Sequence, residues 1–234
     1  ETSSVVVEDR SCRDLDEAMK LMEGENWDDI YTVTWIDGLA GKRSLGRGIV
    51  SRGHHATLNE LGPSNNEALK ISRRRVVRVP FDFPSGLLNP YTMSVFNECY
   101  YRWKGRKKGT YLTDYDSFFY PFDVLLDWDR MYGRKGFVQY QCILPTEGAR
   151  EGLKEILEEV QSSRKPPILI VLKRMAEAGD GLLSFPMAGY TLCLDIPLYY
   201  GEVFPMLCRL DEMVLKYGGR VYLAKDSRLP PAMF

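Results

Sequence analysis

The chain has 234 residues, of which 44% are hydrophobic and 27% are charged. This composition is typical of a folded globular protein and excludes a disordered or low-complexity chain. The 31 lysine and arginine residues nearly cancel the 32 aspartate and glutamate residues. A protein without an overall positive field is not drawn to nucleic acid, so we expect no nucleic-acid partner. No apolar run approaches the roughly 20 residues that span a bilayer, so we expect peripheral membrane contact at most.

The cysteines and histidines argue against a metal site. The five cysteines are widely spaced and include no CxxC pair: Cys12, Cys99, Cys142, Cys193 and Cys208. We interpret them as reduced thiols in a cytoplasmic compartment. His54 and His55 are adjacent and lack the third ligand and the spacing of a zinc site. The sequence begins at Glu1 without a methionine or an export signal, which we interpret as the start of an excised domain.

The first 52 residues predict a βαββ unit. A β-branched run at 5–7 indicates a strand, and apolar residues at helical spacing indicate a helix over 14–22. Segments 31–36 and 48–51 are rich in strand-forming residues, and the first of them ends at an Asp-Gly turn signal. We expect this unit to extend a sheet formed by the rest of the chain.

Residues 53–135 are the least regular part of the chain and predict a long excursion away from the sheet. Turn-forming residues cluster at 62–66, and prolines bound the segment 80–84. A helix is predicted over 91–103, because apolar residues at helical spacing form one stripe there: Met93, Phe96, Tyr100 and Trp103. A basic run at 102–108 follows. It is interpreted either as a contact for phosphate groups or as a solvated helix end.

Residues 136–225 show the clearest order. The pattern predicts strands at 137–144, 168–173, 190–196 and 220–224, with helices at 147–160 and 203–217. Gly218 and Gly219 follow the second helix as a typical stop signal. The order β-α-β-β-α-β is the ferredoxin-like arrangement, an antiparallel sheet with both helices on one face. We therefore predict an α+β fold, a single domain over 1–234 with one large, mostly antiparallel sheet.

Polar side chains recur on one side of these predicted strands. Successive residues of a strand point to opposite faces, so Gln139 and Gln141 share a face of one strand, while Thr191 and Cys193 share a face of another. Lysines at 173 and 225 stand where strands end. Amide and hydroxyl groups arranged in this way are suited to binding the hydroxyl groups of a ligand. The alternative interpretation is an ordinary solvent-facing surface.

Seven strings carry a resemblance to a known family. In chain order they are WID (35–37), LGRGIVSRG (45–53), YPFD (120–123), WDRMYG (128–133), GFVQYQ (136–141), LSFP (183–186) and YLAKDSR (222–228). Together they resemble the decaprenylphosphoryl-β-D-ribose 2'-oxidase family, within the vanillyl-alcohol-oxidase-like flavoproteins. The resemblance implies a two-domain oxidase whose N-terminal domain binds FAD and is absent from this chain, which is then the substrate-binding cap domain. No dinucleotide-binding glycine motif follows a predicted strand here.

The resemblance also implies site residues. Lys225 is similar to the lysine at the flavin and the reacting hydroxyl, which makes it the candidate catalytic residue, and Tyr222 is similar to a tyrosine that contacts the cofactor. The implied substrate-binding residues are Trp35, Phe119, Phe122, Gln139, Gln141, Lys173, Thr191 and Cys193. Three of these depart from the family pattern. Thr191 stands where an asparagine is expected, and Phe119 and Phe122 replace a tyrosine and a leucine.

The implied reaction oxidises a secondary hydroxyl of a sugar or sugar-phosphate-lipid to a ketone, with hydride transfer to flavin and removal of the hydroxyl proton by a base. Lys225 is suited either to stabilise the developing alkoxide or to act as the base. A reductase is a candidate partner. Two alternatives stay open: an aldonolactone-type sugar oxidase, and a non-catalytic domain that binds a sugar or a partner protein.

Overall fold

Strands form the framework of the computed structural model, which describes residues 2–24, 31–62, 68–71, 74–84, 86–107, 109–163, 166–181, 183–198, 202–225 and 228–231. The strands within these ranges are β1 (Ser4–Cys12), β2 (Tyr31–Ile36), β3 (Gly48–His55), β4 (Val77–Arg78), β5 (Thr110–Asp114), β6 (Leu125–Leu126), β7 (Phe137–Pro145), β8 (Leu169–Met175), β9 (Gly189–Pro197) and β10 (Arg220–Val221). The helices are α1 (Leu15–Glu23), α2 (Leu58–Leu61), α3 (Pro90–Gly105), α4 (Tyr115–Phe119), α5 (Ala149–Ser162) and α6 (Phe204–Lys216). A short 3-10 helix covers Trp128–Tyr132.

Eight strands form one antiparallel sheet in the order β10-β7-β9-β8-β2-β3-β1-β5. The predicted α+β fold with a large antiparallel sheet is confirmed. The predicted βαββ unit at the start of the chain and the predicted β-α-β-β-α-β order at its end are both present. They join into the same sheet where β2 pairs with β8.

Helices α1, α5 and α6 cover one side of the sheet, called the helical face below. α1 begins where the Asp14 carboxylate accepts a hydrogen bond of 2.9 Å from the backbone N–H of Glu17. α6 is followed by Gly218 with a φ of 69°, a left-handed conformation that glycine adopts without a steric penalty. The core between helices and sheet includes Leu153, Ile156, Leu192, Leu194, Met206 and Leu210. The strands β2, β7, β8 and β9 each contribute buried residues to this core, which fixes their positions in the sheet.

The opposite side of the sheet, called the open face below, is partly covered by the irregular segment. The expectation that this segment leads away from the sheet is wrong, because it returns to the sheet at several points. β5 pairs with β1 as a further strand, and α3 packs against β1 and β3. The sequence pattern missed β5 because Thr110–Asp114 is short and largely exposed, so it lacks an apolar alternation.

α3 also faces the sheet differently from the predicted apolar stripe. Met93 is buried, whereas Phe96 and Trp103 are 55% and 56% exposed. The side of α3 that meets the sheet instead carries polar groups that pair with buried carboxylates. Lys104 Nζ lies 2.7 Å from Asp9 Oδ2, and two turns earlier on the same side of α3 the Asn97 amide donates to Asp37 Oδ1 at 2.7 Å. Because buried charges need partners, pairing decides the rotation of this helix.

Two further boundaries differ from the prediction. β3 extends to His55, so the two adjacent histidines lie in a strand and not in a loop. β10 ends at Val221, because the chain turns at the next residues, with the Lys225 N–H donating to the Tyr222 carbonyl at 3.3 Å. The predicted turn residues at 63–66, Lys108 of the basic run and residues 226–227 lie outside the described part of the chain. Within the described ranges, no helix combines the length and the hydropathy needed to span a bilayer.

Candidate functional site

Four side chains from four adjacent strands form a row across the open face. Antiparallel pairing sets Trp35 of β2 opposite Val171 of β8, Val171 opposite Cys193 of β9, and Cys193 opposite Gln141 of β7. Directly paired residues of antiparallel strands point to the same face, with Cβ atoms about 4.5–5.5 Å apart. An indole ring, a thiol and an amide therefore lie in line on a paired, hydrogen-bonded surface.

A buried carboxylate lies beside this row. Asp195 is 1% exposed and pairs with Gln139 across β9 and β7. Gln139 Nε2 donates to Asp195 Oδ1 at 2.8 Å, and the Tyr132 hydroxyl lies 3.5 Å from Oδ2. These donors satisfy the buried carboxylate. They also fix the orientation of the Gln139 amide on the open face.

A second relay of hydrogen bonds orients Gln141. Its Nε2 donates to Thr191 Oγ1 at 3.0 Å, and the Thr191 hydroxyl donates to the Cys142 carbonyl at 2.8 Å. Thr191 is 2% exposed, so these bonds are shielded from water. Because the relay uses the side-chain nitrogen Nε2, the side-chain oxygen Oε1 of Gln141 remains as an acceptor toward a ligand. The exposed Lys173 of β8 stands opposite Thr191 of β9.

Cys193 lies at the centre of the row as a neutral thiol. Burial raises the pKa of the Cys193 thiol to about 12, and the nearby Asp195 carboxylate acts in the same direction. The ammonium groups of Lys225 and Lys173 oppose this rise. The two lysines therefore lie within electrostatic reach of the same sulfur atom, one from each side of β9.

Lys225 and Tyr222 lie at the edge of the sheet, on the segment that follows β10. The Tyr222 N–H donates to the backbone carbonyl of Gln141 at 2.8 Å, and this bond connects the segment to β7. A narrow cleft at this edge is lined by Gln139, Gln141, Tyr222 and Lys225. The ring of Phe185 stacks on Tyr222 at a centroid distance of 4.4 Å. An ammonium group and an aromatic pair thus border the polar row.

Aromatic residues from the irregular segment stand over the other end of the row. The Tyr100 ring of α3 meets Trp35 edge to face at 4.7 Å. Phe119 instead packs on Tyr31, 4.7 Å away, at the far end of β2 and about 13 Å along the strand from Trp35. Phe122 is 42% exposed and lies beside Trp128, towards the start of β7.

The structure thus brings eight of the ten predicted site residues together: Trp35, Gln139, Gln141, Lys173, Thr191, Cys193, Tyr222 and Lys225. Phe119 and Phe122 lie farther out. Sequence reasoning left Val171, Asp195, Tyr100 and Tyr132 out of the site. Val171 and Asp195 had a usable signal, because each shares the parity of a predicted neighbour on its strand. The two tyrosines come from the irregular segment, where no periodicity indicates what they face.

Metal ligation has no support from the side-chain arrangement. Among the residues that the structure describes, no three histidine, cysteine, aspartate or glutamate side chains cluster in a way that could hold a metal ion. All five cysteines are free of disulfides, and two of them are exposed (Cys99 and Cys208). The chemistry available on the open face is therefore that of amides, hydroxyls, a thiol and two ammonium groups.

Comparison with known proteins gives two informative relatives. Over 240 aligned positions the chain is 34% identical to decaprenylphosphoryl-β-D-ribose oxidase of Mycolicibacterium smegmatis, an alignment that covers 100% of this chain and 51% of that protein. Over 242 positions it is 27% identical to an uncharacterized protein in the mprA 5' region of Streptomyces coelicolor, covering 99% of this chain and 64% of that protein. No protein-family model matches the chain.

The extent of these alignments matters as much as their identity. The chain spans about half the length of the first relative and under two thirds of the second. The family resemblance expected from the seven strings is confirmed, since the identity runs from one end of this sequence to the other. The chain is therefore a sequence relative of the decaprenylphosphoryl-β-D-ribose oxidases over its whole length.

Proposed function

We propose that this chain is the substrate-binding cap domain of an FAD-dependent oxidoreductase that oxidises a secondary hydroxyl of a sugar or sugar-lipid to a ketone. The observation that carries the proposal is the convergence of Lys225 with the paired residues Gln141 and Cys193 on one edge of the open face. The name of the relative that is 34% identical supports an oxidase. On this proposal FAD is bound mainly by a part of the protein outside these residues.

The paired strands bind the substrate. Gln139 and Gln141 present amide groups whose orientation is fixed by Asp195 and Thr191, which suits them to hydrogen bonds with adjacent sugar hydroxyls. Because the partners of these amides are already buried in the sheet, the substrate meets a preorganised surface and little ordering is required on binding. Trp35 offers an apolar ring face against which a sugar ring can lie.

Lys225 acts on the reacting hydroxyl. It forms no ion pair with a described carboxylate, so its ammonium group is available to an oxygen that gains negative charge as the hydroxyl proton leaves. Its compact, mobile ammonium is suited to that position. A neutral Lys225 amine would accept the same proton, as a base. Both roles place its Nζ at the reacting oxygen.

The edge of the sheet also fits an isoalloxazine ring. The flavin, when bound, supplies the acceptor for the hydride that leaves the carbon bearing the hydroxyl. Tyr222, stacked on Phe185, and the ammonium of Lys225 form a donor set suited to a flat aromatic ring with carbonyl acceptors.

Lys173 and Lys225 indicate an anionic group in the substrate. Both ammonium groups oppose the burial that raises the pKa of the Cys193 thiol, so their charges lie within electrostatic reach of the centre of the row. Two ammonium groups without a described carboxylate partner favour a ligand that carries negative charge, as a sugar phosphate or a sugar-phosphate-lipid does. Cytoplasmic location and a reductase partner are parts of the proposal that rest on the sequence alone.

The test is an anaerobic titration of the full-length gene product. The protein is purified, its visible absorbance is recorded, and sugar alcohols, sugar phosphates and free aldonolactones are added in turn. Bleaching of the oxidised flavin band by a sugar carrying a free secondary hydroxyl supports the proposal. Bleaching by free aldonolactones alone would support an aldonolactone-type oxidase, and purification without flavin would support a non-catalytic sugar- or partner-binding domain.

A further inference from the structure

A buried ion pair joins the segment after Lys225 to helix α6. Asp211 is 0% exposed and Arg228 is 16% exposed. Arg228 Nη2 lies 2.7 Å from each carboxylate oxygen of Asp211 and also donates to the Leu207 carbonyl at 3.1 Å. The guanidinium therefore makes three bonds to one helix. None of them reaches the candidate site.

Asp211 occupies a position where the helix pattern calls for an apolar side chain. The other inward residues of α6 are Met206, Leu207, Leu210 and Val214, and all are buried in the core. A carboxylate at such a position is costly unless it is paired. An ion pair replaced by apolar residues of similar size is often as stable as the original. Stability alone therefore does not explain why the pair is present.

The pair lies on the helical face, whereas Lys225 serves the open face. Arg228 stands with its Cζ 5.7 Å from the centroid of Tyr140, a residue of β7 whose side chain belongs to the helical core. Lys225 lines the cleft at the edge of β7 with Gln139 and Gln141, whose side chains belong to the open face, and Tyr140 and Arg228 line the same cleft from the helical face. Among the described residues, β10 pairs with β7 only at Ile143 and Cys142, so Lys225 and Arg228 both follow the end of this pairing in the sequence.

The distance along the chain makes this connection tight. Arg228 is three positions after Lys225, and three positions span at most about 10 Å when the chain is fully extended. Fixing Arg228 on one side of the sheet therefore confines the Lys225 backbone to a small volume on the other side. The second restraint is the hydrogen bond from the Tyr222 N–H to the backbone carbonyl of Gln141. The lysine segment is thus held at both of its ends.

We propose that Asp211 and Arg228 are positioning residues that hold Lys225 over the polar row from the opposite side of the sheet. This inference rests on the proposed function of Lys225. It assigns a role to the last residue of the string YLAKDSR, and it explains the charged residue in the apolar side of α6. Although Arg228 also lines the cleft, its guanidinium is bonded to α6, and the pair acts on Lys225 through the short stretch of chain that joins the lysine to Arg228.

The test replaces the pair without unfolding the protein. In the full-length protein, Asp211→Leu is combined with Arg228→Leu, which keeps the site filled and leaves no buried charge. The matched control combines Asp9→Leu with Lys104→Leu, a pair with nearly the same exposure, 1% and 17%. Arg228→Lys serves as the conservative variant, because it keeps the charge but has no guanidinium fork. Thermal unfolding establishes that each variant is folded.

Two measurements are made on each variant. Peptide-resolved hydrogen exchange follows the amides of 220–225, and rapid mixing with substrate follows the rate of flavin reduction. We expect the Leu/Leu variant at 211 and 228 to exchange these amides about 10-fold faster or more, with β8 and β9 unchanged. Flavin reduction should slow by about 10-fold or more, towards the rate of Lys225→Ala. Arg228→Lys should fall between this variant and the unchanged protein.

The outcomes separate the two proposals. Unchanged exchange at 220–225 in the folded variant would overturn the inference, and so would faster exchange with an unaltered rate of flavin reduction. An equal increase in exchange at 220–225 in the Asp9/Lys104 control would also overturn it, since the effect would then come from loss of any buried pair. If the unchanged protein reduces no flavin, the proposed function fails, whereas the exchange measurement still decides whether the pair holds this segment.

Discussion

Gln141 and Cys193 stand directly opposite each other on β7 and β9, and the line continues through Val171 to Trp35. These residues are held by ladder hydrogen bonds in the middle of an eight-stranded sheet. A binding surface built on paired strands is more rigid than one built on loops. Lys225 differs, because it belongs to a turn at the sheet edge. The candidate site therefore consists of a fixed binding surface and a lysine that needs its own anchors.

The first prediction concerns substrate binding by Gln141. Gln141→Leu removes an amide that we propose binds a sugar hydroxyl, so the KM of the full-length protein should rise about fivefold, which corresponds to about 1 kcal/mol for one neutral hydrogen bond. Gln161→Leu is the matched control, since the Gln161 amide donates to the Ala40 carbonyl, remote from the row. Steady-state kinetics with the substrate found by titration gives both values. An unaltered KM for Gln141→Leu would argue against this binding role.

The second prediction concerns the buried hydroxyl of Thr191. Thr191→Val leaves the Cys142 carbonyl without its donor and the Gln141 amide without its acceptor. The free energy of unfolding should fall by about 1–3 kcal/mol, the usual cost of unpaired buried polar groups. Thr191→Ser keeps the hydroxyl and should retain most of the stability. Denaturant unfolding measures the difference, and a loss no larger than that of the serine variant would show that the relay contributes nothing.

The third prediction concerns the reactivity of Cys193. Because burial raises the pKa of its thiol to about 12, the thiolate fraction at pH 8 is very small. Alkylation of Cys193 by iodoacetamide should therefore be slower than that of the exposed Cys99, by about 100-fold or more. The rate should still be rising with pH at pH 10. Peptide mass spectrometry resolves the two sites, and equal labelling at pH 8 would contradict the burial of this thiol.

The fourth prediction concerns the ion pair that sets the rotation of α3. Hydrogen bonds from Lys104 and Ser51 outweigh burial, which acts in the opposite direction, and hold the pKa of Asp9 below its ordinary value of 3.8. A carboxyl group with a lowered folded pKa adds stability above its unfolded pKa and loses it as the pH falls through the folded pKa. Stability should therefore decline below about pH 4, and Lys104→Ala should reduce this dependence.

The cost of losing Lys104 follows from the same geometry. Asp9 is 1% exposed on its side chain, so Lys104→Ala leaves a buried carboxylate without its cation and should lower the free energy of unfolding by about 3–5 kcal/mol. Lys20→Ala, on an exposed position of α1, is a control in which no buried charge loses its partner. Urea titration at pH 7 compares them. Equal unfolding free energies for the two variants would contradict the importance of this pair.

The sequence predicts the faces of strands better than their partners. Alternation places Gln139 with Gln141 and Thr191 with Cys193 because the period of two is a property of the backbone alone. The register that aligns Cys193 with Gln141 and with Trp35 joins residues 52 and 158 positions apart. No pattern within a single strand contains that information. The roles of these residues remain predictions, although the fold brings them together.

The irregular segment shows the opposite limit. Its helix α3 is correctly placed, but hydrophobic spacing misjudges the side that meets the sheet, since Lys104 and Asn97 are drawn inward by Asp9 and Asp37. Asp9 lies in β1 and Asp37 directly follows β2, so these partners are distant in sequence and leave no periodic pattern in the helix itself. The position of Tyr100 over the row follows from this rotation. It could not be predicted without the tertiary pairing.

The role of Lys225 at the reacting hydroxyl is tested most directly by the rate of flavin reduction in a single turnover. This rate is measured anaerobically in the full-length protein and in its Lys225→Ala variant. Lys42→Ala, on an exposed lysine remote from the sheet edge, is the matched control. We expect Lys225→Ala to bind flavin and substrate still but to reduce flavin at least about 100-fold more slowly, whereas Lys42→Ala should be unaffected. A Lys225→Ala protein that reduces flavin at the unaltered rate would contradict the claim that this lysine acts on the reacting hydroxyl.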